Sequence, residues 1–299
     1  MDPLLIPFGF GVGVLVGMTG MGGGSLMTPL LILVFGTAPV TAVGSDITYA
    51  AATKTVGGWQ HLRLRTVNLG LSFWLAIGSV PAAIAGVWVI EWLHDRYGSE
   101  LDDIVLTMLA IALIFVGVVI LLRALFMSRA VRSERESFEL TRRHKQAAVA
   151  VGASTGFVIG LTSAGSGTLI AVFLIAYYRM VPRNVVGTDV FHAAVLLWAA
   201  AIAHIVGGNV DFGLVGAILL GSIPGVWIGS HLSVKLPSAV LRTALGAVMI
   251  AAALALFGKA GVKVPVAVMV AAPVALVAGL AAQLLARRTR TTKVRPAEP

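Results

Sequence analysis

The chain has 299 residues and no cysteine. That excludes a disulfide framework, thiolate metal sites and a cysteine nucleophile. Charge is scarce too. Only 12% of residues are Asp, Glu, Lys or Arg and 58% are hydrophobic, whereas a soluble domain carries about 25% charged and 45–50% apolar residues. A soluble globule is thereby excluded. No metal-ligand spacing, nucleophile elbow or Gly-Lys-Ser/Thr phosphate loop is present, so the sequence implies no enzyme activity, no metal and no cofactor. The net charge of +9 does not signal nucleic acid. The basic residues gather in two segments, Arg123 to Lys145 and Arg287 to Arg295, beside long apolar stretches, as cytoplasmic flanks of membrane helices do. The N-terminal stretch lacks a basic region before its apolar run and is expected to stay as a membrane segment.

What is present is hydrophobic sequence in abundance. A hydrocarbon core of ~30 Å takes about 20 helical residues per crossing, so the chain has room for about nine to eleven membrane segments. It also repeats itself. At an offset of 143 residues, Gly13 falls on Gly156, Gly17 on Gly160, Thr19 on Thr162, Gly44 on Gly187, Asp46 on Asp189 and His61 on His204. Gly78-Ser79-Val80-Pro81 falls on Gly221-Ser222-Ile223-Pro224 without a gap. Matching polar, Gly and Pro positions identifies a duplication rather than shared apolar composition. Residues 1–126 form the first membrane repeat, 127–145 a basic cytoplasmic linker, 146–258 the second repeat, 259–286 an extra C-terminal membrane helix and 287–299 a cytoplasmic tail.

Each half divides into two short apolar pieces and three longer ones. Leu26 to Phe35 and Leu169 to Tyr178 are too short to span a bilayer, and a glycine-rich break precedes each. They are expected to be re-entrant half-helices. The links at His61 to Thr66, Arg123 to Lys145, Arg179 to Arg183 and Lys235 to Arg242 are basic, whereas His94 to Asp103 is acidic. Basic links inside, with each short pair returning to the side it left, give the halves opposite orientations. Lys259 and Lys263, which fall outside, are the exception. The expected fold is an all-α polytopic membrane protein built as an inverted-topology repeat, in a bacterial-type plasma membrane.

Broken segments at corresponding places in two halves point to a transporter's binding site. Here they are Gly20-Met21-Gly22-Gly23-Gly24-Ser25 and Ser163-Ala164-Gly165-Ser166-Gly167-Thr168. Glycine allows the left-handed turns of such a break, and the next half-helix then aims free backbone N–H groups inward, where an anion is the natural guest. Gly22, Gly23, Gly24 and Ser25, with Ser163, Gly165, Ser166, Gly167 and Thr168, are the candidate anion ligands. The alternative is that the glycines serve only close helix packing. Three formal charges lie deep in the spans: Asp46, Lys54 and Asp189. The two carboxylates either carry a coupling proton or cap the helix starts. Lys54 either meets the anionic substrate or pairs with Asp46. His192 follows Asp189 by three residues, as Tyr49 follows Asp46, and both are candidates for a proton path.

These residues resemble the TauE/SafE family of membrane transporters, also called the toluene sulfonate uptake permease family. The resemblance covers most of the chain. It rests on the stretch from Gly17 to Pro29, on Ala42-Val43-Gly44-Ser45-Asp46 with its copy Val185-Val186-Gly187-Thr188-Asp189, and on the Gly-Ser-x-Pro pair. It implies a secondary transporter, in the exporting direction, for a small sulfur-containing anion such as sulfite, thiosulfate or an organosulfonate. Protons, through the buried carboxylates, and membrane lipid, at the basic linker, are the other expected partners. An anion channel, a cation carrier, and a membrane scaffold or enzyme are the alternatives.

Overall fold

The computed structural model describes residues 3–19, 24–126, 139–165, 167–233, 238–262, 265 and 267. Among them are ten α-helices and one 3₁₀ turn, with no strand. They are α1 (Leu5–Thr19), α2 (Gly24–Val34), α3 (Pro39–Arg63), α4 (Leu69–Tyr97), α5 (Leu101–Phe126), α6 (Arg142–Thr162), α7 (Leu169–Ala176), α8 (Pro182–Val206), α9 (Phe212–Ser233) and α10 (Ser238–Lys259). The protein is an all-α multi-pass membrane protein. The short helices fall where the short apolar pieces predict them, at 11 residues for α2 and 8 for α7, or about 16 and 12 Å long.

The register of the duplication survives in the helices. α3 and α8 each have 25 residues, and each opens with a proline in its first turn, Pro39 and Pro182, where the missing N–H has no helical partner to lose. α6 starts earlier than the apolar pattern suggests. Thr141 caps it in a reciprocal box with His144, so the basic run Arg142 to Lys145 is the first helical turn rather than linker. Residues 127–138, and nearly all of the expected segments at 259–286 and 287–299, lie outside the described residues.

The halves pack through each other. α1 lies along α9 and α6 along α4, while α3 crosses α8 and α5 crosses α10. Exchanging the halves maps each of these pairs onto another or onto itself. On α1, Gly9, Gly13 and Gly17 meet the backbone of Ile218, Ser222 and Val226. On α6, Gly152, Gly156 and Gly160 meet that of Leu75, Ser79 and Ala83, the equivalent positions of α4. Glycine every fourth residue makes a groove without side chains, so the carbonyls of one helix sit against the Cα atoms of the next. α3 and α8 run antiparallel, with Gly44 against Asn209 and Gly58 against Phe191. Two symmetric hydrogen bonds fasten this crossing. The Asn68 N–H donates to Thr188 Oγ1 and the Asp211 N–H to Ser45 Oγ, each at 3.0 Å.

Among the described residues, four helical stretches are long and apolar enough to cross a membrane by themselves: Leu69–Leu93, Leu101–Leu122, Pro182–Val206 and Phe212–Leu232. α3 falls short because it carries Asp46, Lys54 and several threonines. Its polar residues face protein. From Ala42 to Ala51 every residue of α3 is buried. The exposed surface instead carries Phe73, Trp88, Trp92, Phe115, Leu220 and Trp227, a suitable face toward lipid and a poor one toward water.

The glycine contacts predict a sharp positional effect. Gly156→Ala drives a methyl group into the Ser79 carbonyl and is expected to cost about 1–3 kcal/mol. Gly216→Ala in α9, where nothing lies within 4 Å, is expected to be neutral or slightly stabilising. Tryptophan-monitored thermal unfolding of the two variants in one detergent checks this.

Candidate functional site

The second break folds as its glycines require. Gly165 and Gly167 adopt φ of +93° and +99°, conformations that cost other residues dearly. Ser163 is the C-cap of α6 at φ 57° in the left-handed region, an uncommon place for a residue with a side chain. The strained corner has a use, because it aims Oγ at α3.

There Ser163 Oγ donates to Asp46 Oδ2 at 2.9 Å. Thr28 Oγ1, in the half-helix after the first break, donates to the same oxygen at 2.5 Å. Asp46 is fully buried, and its other oxygen, Oδ1, has no hydrogen-bond partner. One carboxylate thus ties a half-helix of the first repeat to the break of the second. Gly165, Gly167 and Thr168 are buried beside it in sequence. Of the first break, Gly24 opens α2 and Ser25 follows it, while Gly22, Gly23 and, in the second break, Ser166 lie outside the described residues.

The other expected residues divide. Asp189 is buried at the matching place on α8, but the positions equivalent to Thr28 and Ser163 are Ala171 and Gly20, which carry no hydroxyl. Lys54 is buried eight residues beyond Asp46, about 12 Å along the helix, too far for an ion pair between them. Its electrostatic neighbour is His61. His192 is buried and its Nε2 lies 2.8 Å from Ser79 Oγ. Its repeat partner Tyr49 is buried, with the Ser222 side chain of α9 as a polar neighbour. Each of these side chains therefore faces the serine of the other half's Gly-Ser-x-Pro element.

Sequence reasoning missed Thr28, Ser79 and Ser222 as partners. A signal for the serines existed, since hydroxyls at equivalent positions within two apolar helices have to be satisfied from outside the helix or by its own carbonyls. His61 and His204, equivalent in sequence, part company. His204 is buried against the Gly160 carbonyl at 3.1 Å, whereas His61 is half-buried with Nδ1 2.9 Å from Thr66 Oγ1. The exceptional Lys259 has a structural task. Its Nζ donates to the Ile32 carbonyl at 2.9 Å, placing a cation on the last turn of α2, where the helix dipole favours one. A separate cavity of about 550 Å³, lined by Thr41, Glu91, Asp102 and Asn209, contains none of the expected site residues.

Comparison with known proteins completes this picture. The sequence model of the family described as Sulfite exporter TauE/SafE matches residues 5–256. The chain belongs to the TauE/SafE family. It is 38% identical over 256 residues to the probable membrane transporter protein YjnA of Bacillus subtilis, covering 86% of this chain and all of that one. It is 26% identical to the probable membrane transporter protein YdhB of the same organism, over 81% of this chain and 94% of that one. A probable membrane transporter protein of Xylella fastidiosa is 27% identical over 85% of this chain and 95% of its own. No solved structure matches the chain significantly. The residues that carry this TauE/SafE chain's resemblance, Gly44 to Asp46 and the Gly-Ser-x-Pro serines, are the ones that meet between its halves.

The hydroxyl pair on Asp46 is expected to be energetically coupled to it. Thr28→Val and Ser163→Ala should each lower thermal stability in detergent. In an Asp46→Asn background the losses should shrink, giving a coupling energy of about 0.5–3 kcal/mol in a double-mutant cycle.

Proposed function

We propose that the protein is a secondary transporter, working in the exporting direction, for a small sulfur-containing anion such as sulfite, thiosulfate or an organosulfonate. The observation that carries this reading is the meeting of both repeats at Asp46, where Thr28 and Ser163 converge. Discontinuous helices that meet in the core are where transporters of this design bind their substrates. The second break supports an anion specifically, through left-handed glycines, the Ser163 and Thr168 hydroxyls, and the N-terminus of α7 that follows. Lys54 supplies positive charge further along α3. Transport then proceeds by one repeat rocking against the other, with Asp46 or Asp189 as the coupling group and His192 and Tyr49 beside them. The family relationship favours transport over catalysis.

The same reading includes an inverted topology, with the linker after α5 and the C-terminus in the cytoplasm. The antiparallel crossing of α3 and α8 supports it, and so do the turns. Left-handed residues recur at equivalent places, Gly36 with Arg179 and Arg65 with Gly208. In each pair glycine takes the turn assigned to the outside and arginine the one assigned to the cytoplasm. A left-handed arginine costs about 1–2 kcal/mol, a cost that the positive-inside rule accounts for. Arg179→Gly should accordingly raise thermal stability by about 0.5–1 kcal/mol and weaken the orientation preference, as read by reporter fusions after α7 and after α8.

Counterflow in proteoliposomes tests the transport reading. Trans-accelerated exchange of labelled sulfite, thiosulfate or a taurine-derived sulfonate, with a carboxylate control left behind, is the expected result. Conductance without exchange identifies a channel. Absence of both for every anion, with folded protein verified, removes the anion site from the proposal.

A further inference from the structure

The Asp46 site has a feature that simple anchoring of two helices does not need. Oδ2 accepts two hydroxyl hydrogen bonds while Oδ1, equally buried, accepts none. Among the described residues no cation is paired with it. α2 brings Thr28 and the second break Ser163, and α9 brings Ser222 to the neighbouring Tyr49, the titratable side chain closest to Asp46 on α3. α5 carries ionisable residues only near its ends, Asp102, Asp103 and Arg123. α8 crosses antiparallel and meets the far part of α3, where Gly57 and Gly58 lie on Val190 and Phe191, so Asp189 and His192 belong to that end.

We propose that Asp46 is the proton-binding half of a joint proton and anion site, so that one proton and the transported anion bind together and move in the same direction. This deepens the transport reading and rests on it. While Asp46 is ionised it repels an anion at the neighbouring break, and it also occupies the Thr28 and Ser163 hydroxyls. A proton on Oδ1 does two things. It removes the like charge, and it makes Oδ2 a weaker acceptor, which frees both hydroxyls to turn to the anion. Ser163 stands at the corner from which the second break begins, so its hydroxyl needs only a side-chain rotation to serve either partner. Linkage makes the effect reciprocal, and the bound anion holds the proton on Asp46 by the same factor.

Asp189 cannot repeat this exchange through the same groups, because Ala171 and Gly20 stand where Asp46 has Thr28 and Ser163. Neutralising Asp46 takes one proton for each anion bound beside it. A monovalent anion then crosses with no net charge, so the membrane potential does not act on it, and its efflux is driven by its outward gradient against any inward proton gradient.

Two measurements on the full chain in lipid nanodiscs test the proposal separately from the transport reading. The first is infrared titration without any anion. A protonated-carboxyl stretch is expected to grow as pH falls, to be missing in Asp46→Asn, to persist in Asp189→Asn, and to move to higher wavenumber in Thr28→Val and Ser163→Ala. These last two keep the carboxylate if the Asn variant fails to fold. Absence of the band, or its survival in Asp46→Asn, overturns the proposal. The second is calorimetric binding of thiosulfate and methanesulfonate, which do not themselves titrate near neutrality. Affinity is expected to tighten by up to about tenfold per pH unit of acidification, with proton uptake visible in buffers of different ionisation enthalpy. In Asp46→Asn this dependence should vanish. Affinity that ignores pH, or that responds to sodium instead, overturns it. If neither anion binds while the infrared band behaves as expected, the transport reading fails and takes the anion half of the site with it.

Discussion

Everything in this molecule hangs on how closely two pairs of helices can approach. α1 against α9 and α4 against α6 join opposite repeats through glycines whose missing side chains admit a neighbouring backbone. In lipid there is little hydrophobic gain in pressing one apolar helix on another, so close van der Waals packing and weak Cα–H···O contacts have to supply the association. The glycine rows therefore set the spacing of the halves. Because the serines of both Gly-Ser-x-Pro elements lie on these same contacts, opposite Gly13 and Gly156, the packing that joins the repeats also sets where Tyr49 and His192 find their partners.

Duplication gives a symmetric frame, and the chemistry is then varied on it. The two 25-residue central helices, their opening prolines and the fastening bonds of Asn68 and Asp211 recur in both copies. The polar side chains do not. Tyr49 answers to His192, Lys54 to Leu197, Thr28 to Ala171 and Ser163 to Gly20. The proposed alternating access needs two similar conformational end states, which symmetry of the backbone would supply, and the proposed coupling needs a definite event, which symmetry of the charges would blur. Under that proposal Asp46, with hydroxyl donors from both repeats, serves both needs.

The membrane also explains which helices look like membrane helices. α3 contains the buried charges and is sheltered by α8, α2, α9 and α5, so its composition answers to protein rather than to lipid. α2 and α7 are too short to span by themselves. The free carbonyls at the end of α2 are met in part from a distant helix, since Lys259 reaches its last turn. A basic residue that violates a charge rule read along the chain is thus explained by a contact 227 positions away.

A good deal was legible in the chain itself. Hydropathy, the 143-residue register and the glycine breaks determine an all-helical membrane protein with two short helices in equivalent places, since backbone hydrogen bonds in lipid must be met within the helix and a ten-residue helix cannot cross. Depth in the apolar segments marked Asp46, Asp189 and Lys54 as unusual by the cost of charge there. Partnership was beyond its reach. That Asp46 receives hydroxyls from both repeats, that Lys54 lies too far along α3 to pair with it, and that His204 is buried while His61 is not are consequences of which faces of distant helices meet. A single hydroxyl bond 117 residues apart in sequence leaves no periodic trace in it, and only the packing of the two repeats decides it.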